Sequence, residues 1–301
     1  MSTTTPQPTE IPFAPIKEKL RESIEQYKKN SVEDWVKYDT YTNILNQIGT
    51  QEFLNKENLN KTLQEQGYEN IGYQRLTLLK IAILFGSEDA VKTLLEYGAS
   101  INIPDPQDEN GWGGYTELHW AAFSGNAKIA QMIVESGANI HIMATDNFTP
   151  LHIAAARGHI EVAKLLIDEG ADINVKMWSH KTPLHFAVAN NDMEMVKYLL
   201  SKHADVNAQD KDGNTPLHDA ITSNNIDMVQ ILVASGANAT IQNFDGQTPQ
   251  DIAISHQYSE LVEYLSPVEE VLAKTIGDDI APETPEAVMP GQGAFEEVGD
   301  H

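Results

Sequence analysis

The sequence predicts an all-α fold: a helical solenoid of stacked helix-turn-helix units with projecting loops, preceded by a small helical cap. Two observations carry this expectation. A short motif returns in register every 33 residues, and each unit holds two short segments whose apolar faces are too small to bury themselves. The 301 residues contain no cysteine, which rules out disulfides, thiolate metal sites and cysteine nucleophiles.

Residues 1–15 are rich in Thr, Pro and Gln and lack a basic stretch followed by an apolar run. They read as a disordered lead-in rather than a secretory signal. Residues 16–72 carry helical spacing in Ile16, Leu20, Ile24 and Tyr27, and again in Trp35, Tyr38, Tyr41, Leu45 and Ile48, with Gly49 and Gly67 as stops. Two readings stay open for this segment. It is a cap over the apolar edge of the first repeat, or a small helical domain with its own catalytic or toxin-modulating activity that the repeats deliver.

The repeats occupy residues 73–266. Thr116-Glu-Leu-His119, Thr149-Pro-Leu-His152, Thr182-Pro-Leu-His185, Thr215-Pro-Leu-His218 and Thr248-Pro-Gln-Asp251 keep the 33-residue interval without a slip. Further upstream, Thr77-Leu-Leu-Lys80 opens a first unit, set apart by an insertion. Each Thr is an N-cap hydroxyl and each Pro stands at the first helical position, where no backbone donor is lost. A short alanine-rich helix follows, then a turn at Gly86, Gly125, Gly158, Asn191 or Asn224. The second helix shows one apolar face, as in Val91, Leu94 and Leu95 or Val162, Leu165 and Leu166. It closes at Gly98, Gly137, Gly170 or Gly236, whereas His203 stands at that place in the fourth unit and predicts a strained left-handed residue. Asp219 occupies a position that is Trp120, Ile153, Phe186 and Ile252 elsewhere, and the sequence suggests no partner for it. Gln250 and Asp251 make the last unit polar, as a terminal unit requires.

Residues 267–301 hold nine acidic residues and one lysine, with Pro and Gly clustered between Pro282 and Gly293. They read as an acidic, mostly disordered tail, with a short helix over 268–276. A solubilising arm is the simplest role; docking and export are the other roles such a tail can serve.

Charge excludes several functions. A net charge of −24 repels phosphates and anionic lipid, so no nucleic-acid partner is expected. No apolar run approaches the ~20 residues that cross a bilayer, so no membrane insertion is expected either. The four histidines at 119, 152, 185 and 218 repeat once per unit, which spaces them ~10 Å apart, too far for ligands within ~2.1 Å of one zinc ion. Each is read instead as bonding loop and helix backbone between units. Phosphate-binding loops, His-Glu-x-x-His and nucleophile elbows are absent. No catalytic residue, no metal site and no cofactor is expected.

The Thr-Pro-Leu-His element, Gly158-His159, the Leu-Leu pairs and Gly170-Ala-Asp-Ile-Asn174 resemble ankyrin repeats, over about six units of which the first and last are degenerate. That resemblance implies a curved stack whose first helices and loops form a concave face that binds proteins, and so a non-catalytic scaffold. Ankyrin-like proteins recur among bacterial effectors, which makes an effector secreted into a host cell one expectation and an ordinary cytoplasmic monomer the other.

Candidate contacts can be named. Equivalent loop tips are Trp112, Thr145, Trp178, Lys211 and Phe244, and three of these five are aromatic. Exposed aromatics of this kind dominate interface energetics. Partner binding is therefore expected at Trp112, Trp178, Lys211 and Phe244, with Phe123 and Arg157 on the first helices facing the same side. Trp120 and Phe186, one turn earlier, are expected to wedge between repeats. The acidic repeats call for a partner with a basic and apolar surface.

Overall fold

The computed structural model describes residues 10–30, 53–55, 76–107 and 113–266. Ordered structure begins before the boundary at residue 16. Strand β1 (Glu10–Pro12) pairs antiparallel with β2 (Phe53–Asn55), Ile11 opposite Leu54, and helix α1 runs over Phe13–Asn30. Pro15 falls in the first turn of α1, where its missing N–H costs no helical bond. This short ladder is an addition to the all-α expectation. The stripe from Trp35 to Ile48, the Gly49 and Gly67 stops and the tail helix over 268–276 lie outside the described residues.

Paired helices follow in regular order. They are α2 (Leu78–Leu84) with α3 (Glu88–Glu96), α4 (Glu117–Ser124) with α5 (Ala127–Glu135), and α6 (Pro150–Arg157) with α7 (Ile160–Asp168). Then come α8 (Pro183–Ala189) with α9 (Met193–Ser201), α10 (Pro216–Thr222) with α11 (Ile226–Ala234), and α12 (Pro249–Ser255) with α13 over 259–266. First helices pack on first helices and second on second, so one apolar core runs from Ile16 to Leu265. Alanines such as Ala121, Ala122, Ala154 and Ala155 are fully buried at these contacts, where a larger side chain would force the helices apart.

The histidines join the units. In the second unit the Nδ1 of His119 accepts the backbone N–H of Thr116 (3.1 Å), while Nε2–H donates to the carbonyl of Phe148 in the next unit (3.0 Å). His152, His185 and His218 repeat this with the carbonyls of Lys181, Asn214 and Gln247. Each imidazole thus caps its own helix and fastens the following loop. In the last unit Asp251 takes over the capping half, accepting Thr248 N–H at 2.9 Å, and makes no bridge onward.

At the front of the stack, Ile16 and Leu20 of α1 are fully buried. Lys19 Nζ donates to Thr93 Oγ1 of α3 (3.5 Å), and Ser87 Oγ donates to the carbonyl of Lys19 (3.4 Å).

His203 closes α9 with φ +67°, where Gly137, Gly170 and Gly236 close their helices between +92° and +94°. A side chain in this left-handed region carries about 1 kcal/mol of strain. The His203→Gly variant is expected to melt roughly 2–4 °C higher, followed by circular dichroism. An unchanged or lower midpoint would mean the unfolded-chain entropy of glycine cancels the relief.

Candidate interaction surface

The loop tips form an ordered row. The backbone N–H of Thr145 donates to Gly113 (3.1 Å), Trp178 to Asp146 (2.7 Å), Lys211 to Ser179 (2.9 Å) and Phe244 to Asp212 (2.9 Å). Each tip is pinned to the residue beside the equivalent tip of the preceding unit, so the side chains stand in register along the stack. Trp178 is 65% exposed and Phe244 is 75% exposed. Lys211 Nζ lies between them in sequence and sits 4.9 Å from the Trp178 ring centroid, a cation–π contact. The Phe244 backbone crosses so close to Gly213 that a Cβ there would meet Phe244 N at 2.7 Å, and Gly213 is held at φ +79°. Trp112 lies outside the described residues.

Behind the tips, the first helices of the second and third units enclose a cavity of about 290 Å³ lined by Tyr115, His119, Trp120, Phe123, Phe148, Ile153, Ala156 and Arg157. Phe123 and Arg157 face the same side: the guanidinium lies 3.8 Å from the Phe123 ring centroid. Trp120 differs from its expected wedge. It is half-buried, packs edge-on to Phe123 with centroids 5.7 Å apart, and forms a wall of the cavity. Phe186 packs edge-on to Phe148 (5.5 Å) and to His152 (5.8 Å), at the junction of the third and fourth units.

The orientation of Trp120 is set from below. Its Nε1–H donates to Asp105 Oδ2 at 2.7 Å. Asp105 pairs through its other oxygen with Lys80, which is 1% exposed and also donates to the carbonyls of Ile103 (2.6 Å) and Tyr115 (3.0 Å). Lys80 occupies the place that histidine holds in later units, and its bond to Tyr115 reproduces the onward bridge. Glu117, also fully buried, stands 3.9 Å from Lys80; its Oε2 accepts Ile103 N–H (3.2 Å) and its Oε1 has no hydrogen-bond partner. Burial pushes both carboxyls above their ordinary values, against the lowering field of Lys80.

Further along, aromatic gives way to charge. Lys181 stands where Tyr115 and Phe148 stand in earlier units, and it pairs with Asp219 (3.2 Å) and Asp210 (3.7 Å). Asp219 therefore has a partner that its sequence position did not suggest. The signal missed was a common one: the residue just before each capping Thr is aromatic only at 115 and 148, and both line the cavity.

Burial lowers His119 and His152 to about 4 and depresses His185 and His218, so all four are neutral structural groups at pH 7. Among the described residues no three His, Asp or Glu side chains converge as metal ligands, and no helix is long and apolar enough to cross a membrane.

Comparison with curated proteins gives no match. The family model for ankyrin repeats matches in three copies, over residues 50–144, 118–210 and 184–274. Together these span well over half of the chain and include every helix pair described above. With the Thr-Pro-Leu-His caps, the histidine bridges and the row of loop tips, they place this chain in the ankyrin-repeat family.

Proposed function

We propose that the protein is a non-catalytic scaffold that binds a partner protein through the loop tips and the first-helix face of its repeats. Ankyrin repeats are in general protein–protein interaction modules, and the family is typically non-catalytic. The observation that carries the specific reading is the pair of exposed aromatics, Trp178 and Phe244, held in one backbone-bonded row with Lys211 between them. Exposed aromatic surface on a rigid support is the usual material of binding hot spots. Trp112 belongs to the same row by its position in the repeat, and Phe123 and Arg157 extend the surface into the cavity behind. Acids outnumber bases throughout the repeats, which suits a partner with an apolar contact ringed by basic residues.

Residues 16–72 act in this reading as a cap. Ile16 and Leu20, buried against the first unit, support it over the alternative of an independent domain. The protein would work as a monomer in the cytoplasm.

Affinity capture with wild type beside a Trp178→Ala/Phe244→Ala variant of unchanged helicity tests the proposal. A partner captured by wild type should bind the variant far more weakly, each truncation costing about 2 kcal/mol, roughly 30-fold in Kd. Equal affinity would remove the loop tips from the interface.

A further inference from the structure

We infer that the buried cluster of Lys80, Asp105 and Glu117 is a site of self-modification, at which Lys80 Nζ and Asp105 Cγ join in an intramolecular isopeptide bond while Glu117 moves the proton. The bond fastens α2 of the first unit to the loop that leads into the second. It goes beyond the loop-tip interface and needs neither partner nor cofactor.

Nucleophile and electrophile are already in contact. Lys80 Nζ, 1% exposed, donates to Asp105 Oδ1, and its other two protons go to the carbonyls of Ile103 (2.6 Å) and Tyr115 (3.0 Å). Transfer of the shared proton to Oδ1 turns the ion pair into an amine and a neutral acid. The two carbonyls keep their protons, so the freed lone pair is left facing the Asp105 carboxyl. Two charges held out of water carry a desolvation cost that this neutral pair escapes. Burial accordingly raises the Asp105 carboxyl, against the lowering field of Lys80.

The other requirements of acyl transfer are met beside it. Trp120 Nε1–H donates to Asp105 Oδ2 at 2.7 Å, the oxygen that turns anionic when nitrogen adds to Cγ. Glu117 supplies the base. Its Oε2 is taken by Ile103 N–H (3.2 Å), whereas its Oε1 has no hydrogen-bond partner and faces Lys80 Nζ at 3.9 Å. Pro150, Pro183, Pro216 and Pro249 open the same helix in the later units, so starting that helix does not require a carboxylate. Burial raises Glu117 above the ordinary carboxylate range, which makes it a better proton acceptor.

The step balances. Nζ adds to Cγ, and Glu117 Oε1 takes one proton from the nitrogen and returns it to the Oδ1 hydroxyl. The Cγ–Oδ1 bond then breaks and water leaves, with Glu117 unchanged. An ammonium and a carboxylate have become a secondary amide and one water, and nothing is oxidised or reduced. Groups held in contact react with effective molarities of about 10⁵–10⁸ M, which offsets the hydrolysis that opposes such a condensation in bulk water. None of the three residues is more than 9% exposed, so the product is shielded from water as well. Until the bond forms, the cluster is held by charge.

Intact mass spectrometry of the full chain, freshly purified and then kept at neutral pH over several days, tests the inference. A fraction lighter by one water, about 18 Da, should be present or accumulate, and digestion should yield a branched peptide joining residues 80 and 105. Lys80→Met, which has no amine, should yield no such peptide. Glu117→Gln of unchanged helicity keeps nucleophile and electrophile, and should form the bond at least roughly 100-fold more slowly. Asp212-Gly213 and Asp245-Gly246 can also lose water as succinimides, which the position of the modified peptide tells apart. Folded wild type that keeps its full mass, or loses water only at other positions, would overturn the inference and leave the three residues as an ion cluster. Glu117→Gln reacting at the wild-type rate would overturn it too.

Discussion

Replacing Lys80 by Met is expected to destabilise the junction of the first two units by about 3–5 kcal/mol, because it strands two buried carboxyl groups without their cation. Met matches the length of the lysine stem, so packing is nearly conserved and the loss reports charge. Asp105 is 9% exposed and Glu117 is fully buried, and water cannot replace the ammonium. The bonds from Nζ to the Ile103 and Tyr115 carbonyls go too, which loosens the loop that leads into α4. In a solenoid such damage stays near its source. Hydrogen exchange should therefore quicken over 78–96 well before the fourth and fifth units respond. Acidity gives the decisive control. Both carboxyls already sit above their ordinary values in the folded protein, and removing Lys80 raises them further. A group raised on folding stabilises the protein below its unfolded value and loses that contribution as pH climbs through the folded value. The deficit of Lys80→Met relative to wild type should thus shrink from pH 7.5 to pH 5. A deficit that is constant with pH, or below about 1 kcal/mol, would mean that the cluster is not held by charge. Glu117→Gln in the same background should recover part of the loss, since it removes one of the two stranded carboxyls and leaves an amide that still accepts from Ile103.

The contrast between that cluster and the rest of the stack explains how far the sequence could be read. A 33-residue period is legible because every unit solves one problem with the same residues: Thr caps, Pro starts, His bridges, and Gly or Asn turns. Where a unit solves it differently the pattern is silent. Lys80 looks like a degenerate histidine until its reach to Asp105, across the α3 helix and 25 residues on, is known. Glu117 in place of Pro looks like drift, although it fills the same buried cluster. The 33-residue frame makes Thr145, Trp178, Lys211 and Phe244 equivalent, and tip-to-tip backbone bonds hold these four in register; Phe123 and Arg157, expected only to face one side, are in cation–π contact. The frame misplaced Trp120 because the indole turns toward the cavity to satisfy its N–H on Asp105, a residue of the preceding loop. A tryptophan with its polar edge unsatisfied could not have stayed wedged between apolar helices. The same limit applied to Asp219, whose partner Lys181 sits in the loop of the preceding unit rather than on a neighbouring helical turn.

Lowering the pH from 7.5 to 5.5 is expected to cost stability, about 3 kcal/mol from His119 and His152 before the opposing buried carboxyls are counted, while the exposed carboxylates, whose ordinary values lie near 4, stay ionised. The cause is the histidine series. At each site Nδ1 accepts a backbone N–H from the capping Thr and Nε2–H donates to a carbonyl of the next unit, a bond set open only to the neutral Nε2–H tautomer. Protonation puts a second donor against the Thr N–H and a charge into a buried site. Burial accordingly holds His119 and His152 at about 4, against an unfolded value near 6.5. The unfolded chain binds more protons than the folded one throughout that window, so stability is fully present above 6.5 and drains away as pH falls toward 4. At pH 5.5 each of these two residues contributes a loss of roughly 1.4 kcal/mol, and His185 and His218, depressed in the same direction, add to it. Asp105 and Glu117 oppose the trend, since their raised values favour the folded state in acid, so the net loss is smaller than the sum over the histidines. Urea unfolding at the two pH values measures the balance. The same change on acidification in wild type and in a variant without His119 and His152 would contradict neutral bridging histidines. A His119→Gln/His152→Gln variant should be weaker at pH 7.5, having lost two bridges, yet lose roughly 3 kcal/mol less than wild type on acidification, because two of the proton-binding sites of the unfolded chain are gone.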